Sequence, residues 1–132
     1  MTPDREAKVW GSVIHLFDNS VSVSILRVEA GHCCSRHWHA KRWNRFEVIR
    51  GCIDVIIYSL NADGDLIVIS RQRLRAADGY PVPPNMIHRF EVVESGVVVE
   101  TYWTTDGSDV CQDDIHRIDE GGRLWSTPPY WV

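Results

Sequence analysis

The chain has 132 residues, enough to bury one core and too few for two. Its hydrophobic share of 44% and charged share of 24% are ordinary for a soluble globular protein. A formal charge of −4 and a pI near 5.8 argue against a nucleic-acid or anionic-membrane partner, which would need a basic face.

The opening residues, MTPDREAKVWGS, carry no hydrophobic signal core, and no apolar run reaches the length of a membrane span, so a cytoplasmic location is expected. Val21-Ser-Val-Ser-Ile25 alternates apolar and small polar residues, as a half-buried strand does. Arg36, Lys41, Arg42, Arg45 and Arg50 alternate with apolar and aromatic residues and are read as strand and loop positions, not a polybasic tail. Ile53 to Tyr58 follows Gly51 and is rich in β-branched residues; Asn61-Ala-Asp-Gly64 then supplies a hairpin turn, and Leu66 to Ser70 returns. Ile87 to Val93 and Val97 to Trp103 are expected to pair with each other about a turn at Glu94-Ser-Gly96. No stretch of helical period appears, and many short strands with regular turns imply a sandwich or barrel. The last residues, Gly121 to Val132, are rich in Gly, Pro and aromatics; they either hang loose or pack over a barrel mouth or a second subunit. Cys33, Cys34, Cys52 and Cys111 include no CxxC pair and are expected as free thiols, the adjacent two as small buried filler beside a turn.

His37 and His39 form an HxH pair. On a strand, side chains two apart share a face, with backbones roughly 6 to 7 Å apart, so two imidazoles can converge on one ion. His88 follows a turn signalled by Pro83, Pro84 and Asn85. Three histidines leave coordination positions open for water or substrate, as a catalytic metal requires. His15, His32 and His116 have no partner at ligand spacing and are read as surface or structural.

The spacing Gly31-x5-His37-x-His39-x4-Asn44-x6-Gly51 resembles the first motif of the cupin superfamily. Pro83-x-Asn85-x2-His88 resembles the second, with Asn where a glycine is usual. Trp10-Gly11, His39-x2-Arg42-x-Asn44-x-Phe46 and Asp113-Asp114-Ile115-x-Arg117-x-Asp119-x-Gly121 are similar to the cupin domain of mannose-6-phosphate isomerases. The resemblance implies an all-β, antiparallel jelly-roll barrel (a double-stranded β-helix) as one domain over residues 1–132. Its core would span about residues 8–118, with 119–132 as an extension. It also implies one divalent metal ion (zinc, iron, manganese or nickel) on His37, His39 and His88. The motif's acidic ligand falls at Asn44, a poorer donor, which is carried as the fourth position. Glu47 is not its substitute: counting back from Gly51, Asn44, Phe46 and Val48 share the interior face, while Arg45 and Glu47 point outward. Glu47 would then pair with Arg45 or Arg89.

Three functions follow. In the first, a sugar-phosphate isomerase, the metal polarises a carbonyl, Glu100 is the candidate base and Arg42 the candidate phosphate contact. Against these stand a Glu100 that faces solvent at a strand end and an Arg42 solvated on a loop. The second is a three-histidine dioxygenase, which accounts better for Asn44. The third is a non-catalytic carbohydrate-binding or regulatory barrel, with Trp38, Trp43, Tyr58, Tyr102 and Trp103 as stacking platforms or, more simply, core and interface filler. A small-molecule substrate and a homodimer that protects the edge strands are expected partners.

Overall fold

The structure, a computed structural model, describes residues 5–124. Eleven strands and no helix occur among them, so no helix is long and apolar enough to cross a membrane. The three strands β1 (Arg5–Lys8), β2 (Gly11–Asp18) and β3 (Val21–Val28) follow one another antiparallel. Two long strands, β6 (Trp43–Leu60) and β9 (Ile87–Trp103), run antiparallel to each other along nearly their whole lengths. The second half of β9 pairs with β3 on its other edge. The far edge of β6 carries β7 (Leu66–Leu74) and β8 (Gly79–Val82). The first half of β9 carries two short strands, β4 (His32–Cys33) and β5 (His37–Trp38). Outside these lie β10 (His116–Arg117) on β5 and β11 (Gly122–Arg123) on β4. Paired strands therefore extend from Arg5 to Arg123. The aromatic end of the chain, 125–132, whose role the sequence left open, lies outside the described residues.

One expected element is corrected. Ile87–Val93 and Val97–Trp103 do not pair with each other, because β9 continues through Glu94-Ser-Gly96. The bend is made where β9 meets β6. Gly51, at φ +88°, sits against Gly96, and the ladder slips between Val48 and Ile53. A Cβ on Gly96 would lie 2.0 Å from the Arg50 carbonyl oxygen, so the backbones approach more closely than any side chain permits. We expect Gly96→Ala to cost about 3 kcal/mol or more, from overpacking against rigid backbone. Urea unfolding measures this, and a loss under about 1 kcal/mol would contradict the close approach.

The turn after β6 forms as expected. Asn61 Oδ1 accepts from the amides of Asp63 and Asp65 at 3.0 and 2.9 Å, and Gly64 takes the positive φ. The core fills the barrel with Val13, Leu26, Phe46, Ile53, Val55 and Val92, each at most 3% exposed, with Trp10 edge-on to Phe90 at 5.2 Å. Burying each such side chain contributes about 1.5–3 kcal/mol. In β3 the alternation is turned round: Ser22 and Ser24 face inward at 1% exposure, while Val21, Val23 and Ile25 face out. Here Ser24 Oγ lies 2.8 Å from His15 Nδ1, and Gln112 Nε2 lies 3.3 Å from Ser22 Oγ.

Candidate metal centre

His37, His39 and His88 come together from two segments that are distant in sequence. His37 lies directly across the ladder from His88 in β5 and β9, and His39 follows two residues later on the same face. Asn85, at φ +68°, makes the left-handed turn that launches His88, and its amide donates to the His39 carbonyl at 2.7 Å. Asn tolerates this conformation better than other non-glycine residues, which explains why it can stand where the motif has glycine. The three imidazoles are 6%, 2% and 0% exposed, with ring centroids 4.6–5.3 Å apart.

The tautomers follow from the partners. His37 Nδ1 lies 2.7 Å from the Ser35 carbonyl, His39 Nδ1 2.7 Å from the Asp114 carbonyl, and His88 Nδ1 2.8 Å from the Met86 carbonyl. A carbonyl only accepts, so each Nδ1 carries the proton and each Nε2 keeps its lone pair. The three ligand nitrogens lie within 4.8 Å of one another. Nε2 of His39 and of His88, and Oδ1 of Asn44, are buried acceptors with no partner. Leaving such a group unsatisfied costs about 1–3 kcal/mol. Orphaned lone pairs on imidazoles oriented by backbone carbonyls are what a divalent cation needs, so these residues fit a metal ion. Burial pushes the His37 imidazole well below its usual range, helped by the other two rings. Burial and the Arg42 charge bring His39 down to about 3, and burial brings His88 to about 4. All three are therefore neutral ligands at physiological pH.

Asn44, fully buried, points inward with Phe46 and Val48, while Glu47 is exposed, as parity requires. Glu47 does not pair with Arg89, whose guanidinium donates to Glu91 instead. Asn44 Nδ2 donates to Glu100 Oε2 at 2.9 Å. Glu100 shares the inward face of β9 with Val98 and Tyr102 and does not face bulk solvent. Its exposed part looks into a cavity of about 790 Å³ that His37, Arg42 and Tyr102 also line. Burial raises the Glu100 carboxyl to about 7, against the opposing pull of a Tyr102 hydrogen bond and the charges of Arg42 and Lys8.

Arg42 is 3% exposed, so it is not solvated on a loop. Its guanidinium lies 3.9 Å from the Tyr102 ring centre, and Nη1 donates to the Cys111 carbonyl at 3.1 Å. Nε is 3.1 Å from His39 Nδ1, which is protonated and offers no lone pair. Among the described residues no carboxylate oxygen lies within 4.0 Å of this buried cation.

Asp114 is the residue whose role sequence reasoning missed, although its motif was in view. Its carboxylate accepts from the amides of Ala40, Lys41 and Arg42 at 2.7–3.1 Å, while its carbonyl orients His39. Burial opposes ionisation of Asp114, but those three amides outweigh it and hold the carboxyl below the usual range. Asp119 does similar work, accepting from Arg36 N and Nε. The other histidines stay apart: His15 reaches Ser24, His32 reaches the Ala30 carbonyl, and His116 stacks on Trp38 at 4.0 Å. Trp43 stacks on Trp103 outside the barrel, away from the histidines. Cys33, Cys34 and Cys52 are buried free thiols, and Cys111 is exposed.

No family model and no curated protein matches this chain. Solved structures do. Oxalate decarboxylase from Bacillus subtilis superposes with a TM-score of 0.68 at 13% identity, over 88% of this chain and 30% of that one. The capsular polysaccharide assembling protein CapF from Staphylococcus aureus gives 0.68 at 16%, over 90% and 32%. The Lactobacillus farciminis oxalate decarboxylase formate complex gives 0.65 at 13%, over 88% and 34%. This chain thus spans about a third of the length of each. The Bacillus subtilis enzyme has Mn(II) centres. With its all-antiparallel curled sheet and these neighbours, the chain has the cupin jelly-roll fold.

Proposed function

We propose that this cupin binds one divalent metal through Nε2 of His37, His39 and His88, with Asn44 Oδ1 as a fourth donor, and moves a proton on a small anionic carbonyl compound of the sugar-phosphate class. The observation that carries the reading is that His37, one of three clustered and oriented histidines, lines the same cavity as Glu100 and Arg42. Zinc, iron, manganese and nickel all suit imidazole donors to some degree, and the Mn(II) of the Bacillus subtilis neighbour makes manganese the first to try. When bound, the metal supplies Lewis-acid polarisation of the substrate carbonyl.

The chain's own residues do the rest. Arg42, buried with no carboxylate of the described residues within 4.0 Å, takes the substrate's phosphate or carboxylate through its remaining donors, and the Tyr102 ring holds the guanidinium flat for that contact. Glu100 accepts the proton from the carbon next to the carbonyl and returns it to the neighbouring carbon, so the substrate isomerises with no net change in protons. Asn44 and the Tyr102 hydroxyl hold the Glu100 carboxylate in place.

Deuterium exchange tests this. Metal-loaded protein incubated with mannose 6-phosphate or fructose 6-phosphate in heavy water should place deuterium on carbon, read by proton NMR. Glu100→Gln should slow that exchange by about 100-fold or more with the metal content unchanged. No exchange by the wild type with any of the four metals, or iron-dependent oxygen consumption instead, would overturn the isomerase reading.

A further inference from the structure

The inward side of the barrel changes character along β3, β9 and β6. Three successive rows cross these strands. The first is Ser22, Tyr102 and Asn44; the second is Ser24, Glu100 and Phe46. The third is Leu26, Val98 and Val48, with Val13 of β2 beside Leu26. Same-face residues lie about 6.6 Å apart along a strand, so an apolar wall begins one row from Glu100. Val13, Leu26 and Phe46 are at most 3% exposed, and they border the cavity that Glu100 and Arg42 line. Trp10 and Phe90 border it too, 5.2 Å apart and edge to face, with Phe46 a further 5.8 Å from Phe90. Protein interiors normally pack such side chains against one another and leave few voids larger than a water.

We infer that the substrate of this site carries an aromatic ring, so that the class proposed above narrows to a sugar phosphate joined to a flat apolar group. This class rests on the proposed roles of the metal, Glu100 and Arg42 at the reacting end. Three observations select the ring. The first is size. A cavity of about 790 Å³ lies high in the range of about 300–1,000 Å³ that encloses drug-sized ligands, and a sugar phosphate alone does not fill it.

The second is polarity. Sugar hydroxyls pressed against Val13, Leu26 and Phe46 would lose water and gain no partner. Polar groups at the inner end are already committed: the Tyr102 hydroxyl to Glu100 and Asn44, and Ser35 Oγ to His37 Nδ1 at 3.0 Å. The third is shape. Trp10, Phe90 and Phe46 tilt by 70–77° from ring to ring, which offers both edges and faces to one more ring. A hydrocarbon chain would instead lose its rotamer freedom on entering a cavity walled by paired strands.

Titration calorimetry on the full chain with manganese present, using phenyl phosphate, inorganic phosphate and mannose 6-phosphate, tests this. Phenyl phosphate should bind about 100-fold more tightly than inorganic phosphate, the gain expected from burying one ring, and more tightly than mannose 6-phosphate. Val13→Phe puts a ring into the cavity from its own wall. It should bring phenyl phosphate and inorganic phosphate to within about threefold of each other, with metal content unchanged. A wild-type ratio near one, tighter binding of mannose 6-phosphate, or a folded Val13→Phe protein that keeps the full preference would each overturn the inference. The wild-type ratio decides alone if Val13→Phe does not fold. Arg42→Gln should weaken both phosphates alike; if it weakens neither, the anion role of Arg42 falls and the ring preference stands. Binding of none of the three would overturn both.

Discussion

His88→Ala is expected to take the metal content from about one ion per chain to under a tenth, a fall in affinity of more than about 100-fold. The reason is geometric. His88 is the fully buried ligand, fixed by its Nδ1 bond to the Met86 carbonyl. The same substitution should barely change the stability of the metal-free protein. Deleting a packed imidazole loses contacts, but it also removes a buried acceptor that has no partner in the apo chain. The second effect is worth about 1–3 kcal/mol and offsets much of the first. A purely structural residue behaves otherwise: Phe90→Ala, at 3% exposure, should cost about 3–5 kcal/mol whether or not metal is present. Metal at about a hundred times its dissociation constant should stabilise the wild type by about 2.7 kcal/mol and leave His88→Ala unmoved. Mass spectrometry of bound metal and thermal melts with and without ion read both effects. A His88→Ala protein that still binds one ion per chain would remove the three-histidine site.

Much of this centre was legible because it obeys short periods. The two-residue strand period placed His37 with His39, put Asn44, Phe46 and Val48 inside, and sent Glu47 outward. What was not legible depends on contacts far apart in the chain. Glu94-Ser-Gly96 has turn composition, yet β9 continues through it as strand, because Gly96 serves a close crossing with Gly51 that no local pattern announces. Ser22 and Ser24 look like the solvent side of β3, yet both are buried, Ser24 against His15 and Ser22 against Gln112. Asp114 reaches amides more than 70 residues back, so its motif was visible but its task was not. Only the β3 miss is a break of the ordinary polar-out rule; the other two come from contacts between segments far apart in sequence.

The metal-free protein should lose stability steeply on acidification. In the unfolded chain an imidazole titrates at about 6.5. In the fold burial brings His39 to about 3 and His88 to about 4, and it holds His37 well below the usual range. Between these values the unfolded chain binds more protons than the folded one, so stability is complete above the unfolded pKa and drains away as the pH falls below it. At about pH 5 each histidine has cost about 2 kcal/mol relative to about pH 8, or about 6 kcal/mol for the three. Glu100 works in the opposite direction. Its folded pKa of about 7 lies above the unfolded value, so it takes up a proton in the fold as pH falls. That returns about 2 to 3 kcal/mol and leaves a net loss of about 3 to 4 kcal/mol. Such a loss is a large part of the 5–15 kcal/mol that typically separates folded from unfolded states. Urea melts of the apo protein across that range should show it. His88→Gln, whose amide does not titrate, should recover about 2 kcal/mol of the pH dependence. Bound metal should delay the loss to lower pH, since protons must then displace the ion before they can reach Nε2. An apo protein equally stable at both ends of the range would mean that the imidazoles are open to water, and the closed, oriented centre would fall with it.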